Sequence, residues 1–259
     1  GVLGLTARLI SDVIPSPESI GLNKQLQRLA FLNDGFVLVV GPCGSGKSTT
    51  LASLLGIINR ERQGKIITIE DPIEYIFEND HCLIEQREIG IDANDFAVAL
   101  KYVLRQDPNV IMVGEMRDNE TIDAALTAAE TGHLVFSTLH TGPAAESLSR
   151  IVSSFPAYQQ GQIATKLSLC LRAVISQRLL PAASGGRVAA REIMFNTPAI
   201  ANLLRSQKPE QISSIIQTSS RDGMITLNRS IEELLASGQI TPEVAKMYTR
   251  GDSGDSYWR

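Results

Sequence analysis

The feature that most constrains this chain is an eight-residue loop, Gly41-Pro42-Cys43-Gly44-Ser45-Gly46-Lys47-Ser48, which fits the pattern GxxxxGK[ST] at every fixed position. Glycines there let backbone N–H groups converge on phosphate oxygens without a Cβ in the way. Lys47 is placed to reach the β- and γ-phosphates of a nucleoside triphosphate, and the Ser48 hydroxyl to ligate Mg2+. Such a loop carries that meaning when a strand precedes it and a helix follows. Residues 36–40 (Phe-Val-Leu-Val-Val) are a continuous β-prone run, and residues 48–58 have helical periodicity. The positive end of that helix dipole would face the same phosphates. Taken alone, the loop implies nucleoside triphosphate binding.

The rest of the pattern alternates. Strands are predicted over 65–69, 110–113 and 133–139, with helices over 23–32, 95–105 and 121–130. Continuous apolar strands separated by helices imply an α/β fold whose central, mostly parallel sheet is covered on both faces. Beyond about residue 187 the chain reads as short amphipathic helices (197–206, 209–217, 226–237 and 241–248), several opening at Thr or Pro. Four segments are therefore expected. Residues 1–21 form a linker around Ile14-Pro15-Ser16-Pro17. The core occupies 22–187, a helical C-terminal subdomain 188–250, and a Gly-, Ser- and Asp-rich tail 251–259 is expected to be disordered.

Bulk properties narrow the functional class. A net charge of -4 lacks the basic surplus of a nucleic-acid binder, so no nucleic acid is expected as a partner. Cys43, Cys82 and Cys170 are widely spaced and form no CxxC pair, which argues against zinc and for a reducing compartment. The longest apolar runs have strand length, far short of a membrane span, and no signal-peptide order is visible.

Hydrolysis needs carboxylates that hold the metal and orient water. Two acidic segments sit directly beyond predicted strands. One is Ile69-Glu70-Asp71-Pro72-Ile73-Glu74. The other, Val110-Ile111-Met112-Val113-Gly114-Glu115, has the form of a Walker B segment with glycine where aspartate is usual. Ligands gather outside the carboxyl ends of parallel strands, so both acids point to one site. His133 and His140 flank the strand between them, and His81 is expected at the surface. Arg87, Arg105 and Arg117 are candidate charge-stabilising arginines.

In this order the motifs resemble the secretion-superfamily ATPases, most closely their PilT-like branch of type IV pilus retraction motors, over about residues 4–250. The loop is similar to that branch's GPTGSGKSTT, with Cys43 in place of threonine and Thr49 added to the nucleotide contacts. Residues 67–74 resemble its Asp box, 113–118 its Walker B and 131–141 its His box, and Gly186-Arg187-Val188-Ala189-Ala190-Arg191-Glu192-Ile193-Met194 also matches. The resemblance implies a RecA-like core, ATP and Mg2+ as cofactors, Glu70 as the carboxylate near the attacking water, and Glu115 as the Walker B acid that helps Ser48 hold the metal. It implies that His133 and His140 sense the γ-phosphate or a neighbouring subunit. A hexameric homo-oligomer in the cytoplasm, docked on the inner-membrane platform proteins of a pilus, is implied too, with residues 1–21 the remnant of a PAS-like domain. The branch's AIRNLIRE motif reads Ala199-Ile200-Ala201-Asn202-Leu203-Leu204-Arg205-Ser206, with Ala201 in place of its first arginine and Ser206 in place of its terminal glutamate. That departure leaves open an accessory paralogue that modulates a partner motor. An ATPase of a related secretion or DNA-transfer system is the third reading.

Overall fold

In the computed structural model the described residues are Ile10 and 13–249; the expected tail at 251–259 and most of the expected linker's first half lie outside them. Seven strands form one sheet in the order β3-β2-β4-β5-β1-β6-β7. They are β1 (Gly35–Val40), β2 (Gly64–Glu70), β3 (Cys82–Glu88), β4 (Val110–Val113), β5 (Leu134–Leu139), β6 (Leu171–Pro181) and β7 (Arg187–Phe195). All adjacent pairs are parallel except β6–β7.

Central β1 shows why its sequence is apolar throughout. Phe36, Leu38 and Val40 enter one core layer while Val37 and Val39 enter the other, as strand alternation requires between two covered faces. One layer is closed by α1 (Lys24–Gln27) and α2 (Lys47–Glu61). On α2, Leu51, Leu54, Leu55 and Ile58 are almost fully buried, each worth about 1.5–3 kcal/mol of burial. The other layer is closed by α3 (Phe96–Val103), α4 (Asn119–Glu130), α5 (Ala144–Ser153), α6 (Ala157–Cys170), α7 (Pro198–Arg205) and α8 (Ile212–Thr218). A smaller cluster joins α9 (Leu227–Ala236) and α10 (Pro242–Tyr248) to Leu180 and Ala190 of the β6–β7 hairpin.

The α/β fold with a mostly parallel sheet is as the sequence predicts. One stretch of it requires correction: residues 188–195, expected at the start of a helical subdomain, are strand β7 in the main sheet. The run Ala189-Ala190-Arg191-Glu192 has neither clean alternation nor β-branched residues, so pairing with β6 rather than local propensity makes it a strand. The helix predicted over 23–32 is two shorter pieces, α1 and a 3-10 turn at Arg28–Phe31.

Candidate active site

Strand order brings the chemistry together. The phosphate loop leaves the carboxyl end of β1, Glu70 ends β2, Glu115 lies two residues beyond β4, and His140 directly follows β5. These strands are neighbours in the order β2-β4-β5-β1, so residues scattered over a hundred positions share one rim. A cleft of about 370 Å³ opens there, lined by the loop together with Glu70, Glu115, Arg117 and His140.

The loop is shaped for a ligand on its backbone. Gly41, Gly44 and Gly46 have φ of 147°, 74° and 85°. A Cβ on Gly41 would stand 2.3 Å from the Gln177 carbonyl oxygen, so no other residue fits. Among the described residues no side chain caps α2 at Gly46, as none caps α5, α6 or α8, and α2 has no acid in its first turn, whereas α3, α4, α7, α9 and α10 are capped by Asp95, Asp118, Thr197, Thr226 and Thr241. Uncapped N–H groups at a helix N-terminus are an anion site. Ser45 Oγ, buried in the loop, has no hydrogen-bond partner among the described residues.

Lys47 is drawn back over the loop and donates to the carbonyls of Gly41 (2.9 Å) and Pro42 (3.1 Å). Burial pushes its ammonium below the ordinary value, opposed by the nearby carboxylates of Glu115 and Glu74. Lys47 Nζ is 3.2 Å from His140 Nδ1, and His140 Nε2 is 3.3 Å from Glu115 Oε1. An ammonium only donates, so Nδ1 accepts and the imidazole proton sits on Nε2, toward Glu115. Arg117 Nε then donates to Glu115 Oε2 (2.8 Å) and its Nη1 to Asp71 (3.2 Å). One polar chain thus runs Lys47–His140–Glu115–Arg117–Asp71 around the mouth of the loop.

Glu70 stands apart from that chain. It is 6% exposed, and its Oε1 accepts from Thr68 (2.6 Å) and Gln86 (3.2 Å). Burial raises its proton affinity above the usual carboxylate range, and those hydrogen bonds only partly offset the rise. Gly114, where aspartate is usual, has a packing reason: an added Cβ would meet Ile69 O at 3.2 Å and Glu70 Cα at 3.3 Å. A side chain there would push directly on the backbone that carries Glu70.

Most of the residues expected from sequence converge, but His133 does not. It precedes β5 at the opposite end of the strand, where its Nδ1 meets Ala128 O at 2.9 Å and so closes the end of α4. The seven residue steps between them, at roughly 3.3 Å each, hold it about 23 Å from His140. Catalytic His133 is therefore corrected to a residue outside this chain's own cleft. Of the three candidate arginines Arg87, Arg105 and Arg117, Arg117 alone lines the cleft. Arg87 is held by Glu85 and Gln106 on edge strand β3, and Arg105 is exposed beside α3. Sequence reasoning missed Tyr75, whose hydroxyl is 3.0 Å from Thr49 Oγ1, and it missed Arg187 and Gln177. Tyr75 adjoins the acidic segment and was within reach of that reading. Nothing local marks Gln177, whose contact with the loop spans 132 positions.

A parallel sheet with this loop at its centre, acids on the adjacent strands and a lysine folded over the phosphate cradle defines a P-loop ATPase of RecA-like fold. The family model "Type II/IV secretion system protein" matches residues 19–191. The type IV pilus retraction ATPase PilT of Pseudomonas aeruginosa is 49% identical over 94% of this chain and 71% of its own length. A twitching motility protein of Neisseria gonorrhoeae is 47% identical over 96% of this chain and 67% of its own. A crystal structure of the pilus retraction motor PilT with bound ADP superposes with a TM-score of 0.88 at 46% identity, covering 95% of this chain and 70% of that one. The chain belongs to the type II/IV secretion system protein family, in its PilT-like ATPase branch.

Proposed function

We propose that the chain hydrolyses Mg-ATP in the cleft and uses the energy to retract a type IV pilus, as one subunit of a hexameric ring docked on the pilus platform at the inner membrane. The polar chain from Lys47 to Asp71 carries the catalytic part of this reading. It links the phosphate-binding lysine to the Walker B acid through one histidine, so a change at the γ-phosphate reaches three elements of the sheet edge at once. Pilus retraction rests on kinship with PilT and the twitching motility protein.

Each side chain has a distinct task. The Gly41–Lys47 backbone and the N-terminus of α2 cradle the phosphates, with Thr49 beside them. Lys47 exchanges its two loop carbonyls for phosphate oxygens, which a desolvated ammonium favours strongly. Ser48, half-buried at the start of α2, and Glu115 in the same cleft would hold Mg2+, which offsets charge on the phosphate oxygens. Among the described residues no three His, Cys, Asp or Glu side chains converge as a ready metal cage; an ion that draws most ligands from phosphate and water fits such a site. Glu70, buried and of raised proton affinity, orients the attacking water and accepts its proton. His140 reports the γ-phosphate to Glu115.

No helix among the described residues is long and apolar enough to cross a membrane, so membrane attachment in this reading is by docking. In α7, Ile200 and Leu204 are buried, while Ser206 just beyond it is exposed and Ala201 only half-buried. The departures at Ala201 and Ser206, which remove the motif's first arginine and its terminal glutamate, therefore lie outside the core, where they alter a surface rather than the fold. An accessory paralogue, the second reading, would differ from a retraction motor at that surface.

The deciding experiment is phosphate release by the purified protein with and without Mg2+, followed by expression in a cell that lacks its own retraction ATPase. Mg-dependent turnover with restored twitching is expected. Turnover without twitching, rescued by adding a partner motor, would favour the accessory role. Because a ring is proposed, specific activity should climb with protein concentration, and a flat profile would rule the ring out.

A further inference from the structure

Arg191 lies on β7, only 6% exposed. Burial pushes its guanidinium down to about 10. A buried charge of that kind persists only where its hydrogen-bonding capacity is filled in fixed geometry. Here Nε donates to Gln177 Oε1 (2.8 Å), Nη1 to Gly21 O (2.9 Å) and Nη2 to Ile20 O (2.8 Å). The backbone N–H of Arg191 is itself pinned to Ser230 Oγ at 3.0 Å.

Gln177 carries the contact onward. It is 2% exposed on β6, and its Oε1 also accepts from Thr50 on α2 (2.8 Å). Its Nε2 donates to Ser45 O, inside the phosphate loop, at 2.6 Å. The loop is fitted closely to this residue, since a Cβ on Gly46 would stand 2.9 Å from Gln177 Nε2. At the other end, residues 17–22 form a turn held by Gly21 N to Glu18 O (3.1 Å) and Leu22 N to Pro17 O (2.7 Å), with Gly21 at φ 62°. A planar guanidinium presents its donors in a rigid fork. It therefore keeps all three bonds only while the turn and Gln177 hold their present separation.

We propose that Arg191 and Gln177 are positioning residues that couple the turn at residues 17–22 to the phosphate loop, so that nucleotide on the loop and order in the turn rise and fall together. The coupling rests on the nucleotide reading of the loop. Linkage makes it reciprocal: whatever displaces the turn weakens nucleotide binding by the factor by which nucleotide steadies the turn. The segment leading into the core at Leu22 thereby becomes a control point for the site, at a distance set by three side-chain bonds.

Amide hydrogen exchange with and without ADP, on the same preparation used for calorimetric ADP titration, tests this directly. In the unmodified protein ADP should slow exchange both over residues 44–50 and at Gly21 and Leu22, the latter by about fivefold or more. Arg191→Met should keep the loop protection, lose the response at Gly21 and Leu22, and bind ADP several-fold more weakly. Arg191→Lys, which keeps charge without the fork, should fall between, and Gln177→Met should match Arg191→Met. Loop protection without any response at Gly21 and Leu22 in the unmodified protein overturns the coupling and leaves the nucleotide site standing. A full response in folded Arg191→Met overturns it as well. Absent binding by calorimetry would instead remove the nucleotide reading, and the coupling with it.

Discussion

The two ends of strand β5 carry the same residue type and use it differently. At the carboxyl end His140 bonds to side chains from α2 and from the segment after β4, across 93 and 25 positions of sequence. At the amino end His133 bonds to a carbonyl five residues away. The first histidine belongs to a network whose parts come from separate elements, and the second finishes the helix before it. What separates them is the side of a parallel sheet on which they emerge. All the βα loops leave from the carboxyl ends, so only there can several elements pool their polar groups.

The comparison can be broken most decisively at Lys47. Lys47→Ala should lower kcat/KM for ATP by about 10³-fold, the cost of a preorganised donor to a transferring phosphoryl group, read by phosphate release. Loss of less than tenfold would mean that the carboxyl-end network is not the site of chemistry.

Glu70→Gln should reduce kcat by about 10² to 10³-fold while ADP affinity holds, since general-base removal acts on the chemical step. Its melting temperature should rise or stay level, because the amide oxygen still accepts from Thr68 and Gln86 and no buried charge remains. The pH dependence follows in sign. Glu70's raised proton affinity makes its stability contribution complete below the ordinary carboxylate value, and that contribution is lost as pH climbs through the folded value. Activity runs the opposite way, rising through the same window as the base ionises. An acid limb at the ordinary carboxylate position, unchanged in Glu70→Gln residual activity, would remove Glu70 from that role.

Gly114→Ala should destabilise the protein by about 1–3 kcal/mol through overpacking against β2 and lower kcat with it. Thermal unfolding beside steady-state kinetics would show whether the two losses travel together. Gly114→Asp should be worse on both counts, despite restoring the commoner residue.

The smallest effects sharpen the histidine contrast itself. His140→Ala should cost about tenfold in kcat/KM with little change in stability. His133→Ala should cost about 1 kcal/mol of stability, one hydrogen bond's worth, and leave ADP affinity untouched. Equal kinetic losses from the two variants would show that the ends of β5 are not so distinct.

Much of the site was legible because P-loop chemistry compresses into short segments. Gly41, Gly46, Lys47 and Ser48 belong to one contiguous loop, and Glu70 ends one apolar strand while Glu115 lies two residues beyond another. His133 misled because one motif held both histidines, and a linear motif does not say which end of its strand faces the ligand. Strand β7 was hidden because Ala189-Ala190-Arg191-Glu192 is shaped by its partner β6 rather than by its own pattern. Gln177 and Arg191 were out of reach for a plainer reason: their partners lie 132 and 170 positions away.

Sequence alone determined the class of fold, the phosphate loop and the two acids that share its cleft, because each is marked by a pattern within a few residues. The tertiary structure decided which histidine lines the cleft beside the phosphate loop, why a side chain at Gly114 would crowd β2, and how a buried arginine ties the turn at residues 17–22 to the loop. Those are contacts between strands whose order in the sheet is not their order in the chain. Local propensity carries no record of that order; packing both faces of one sheet imposes it.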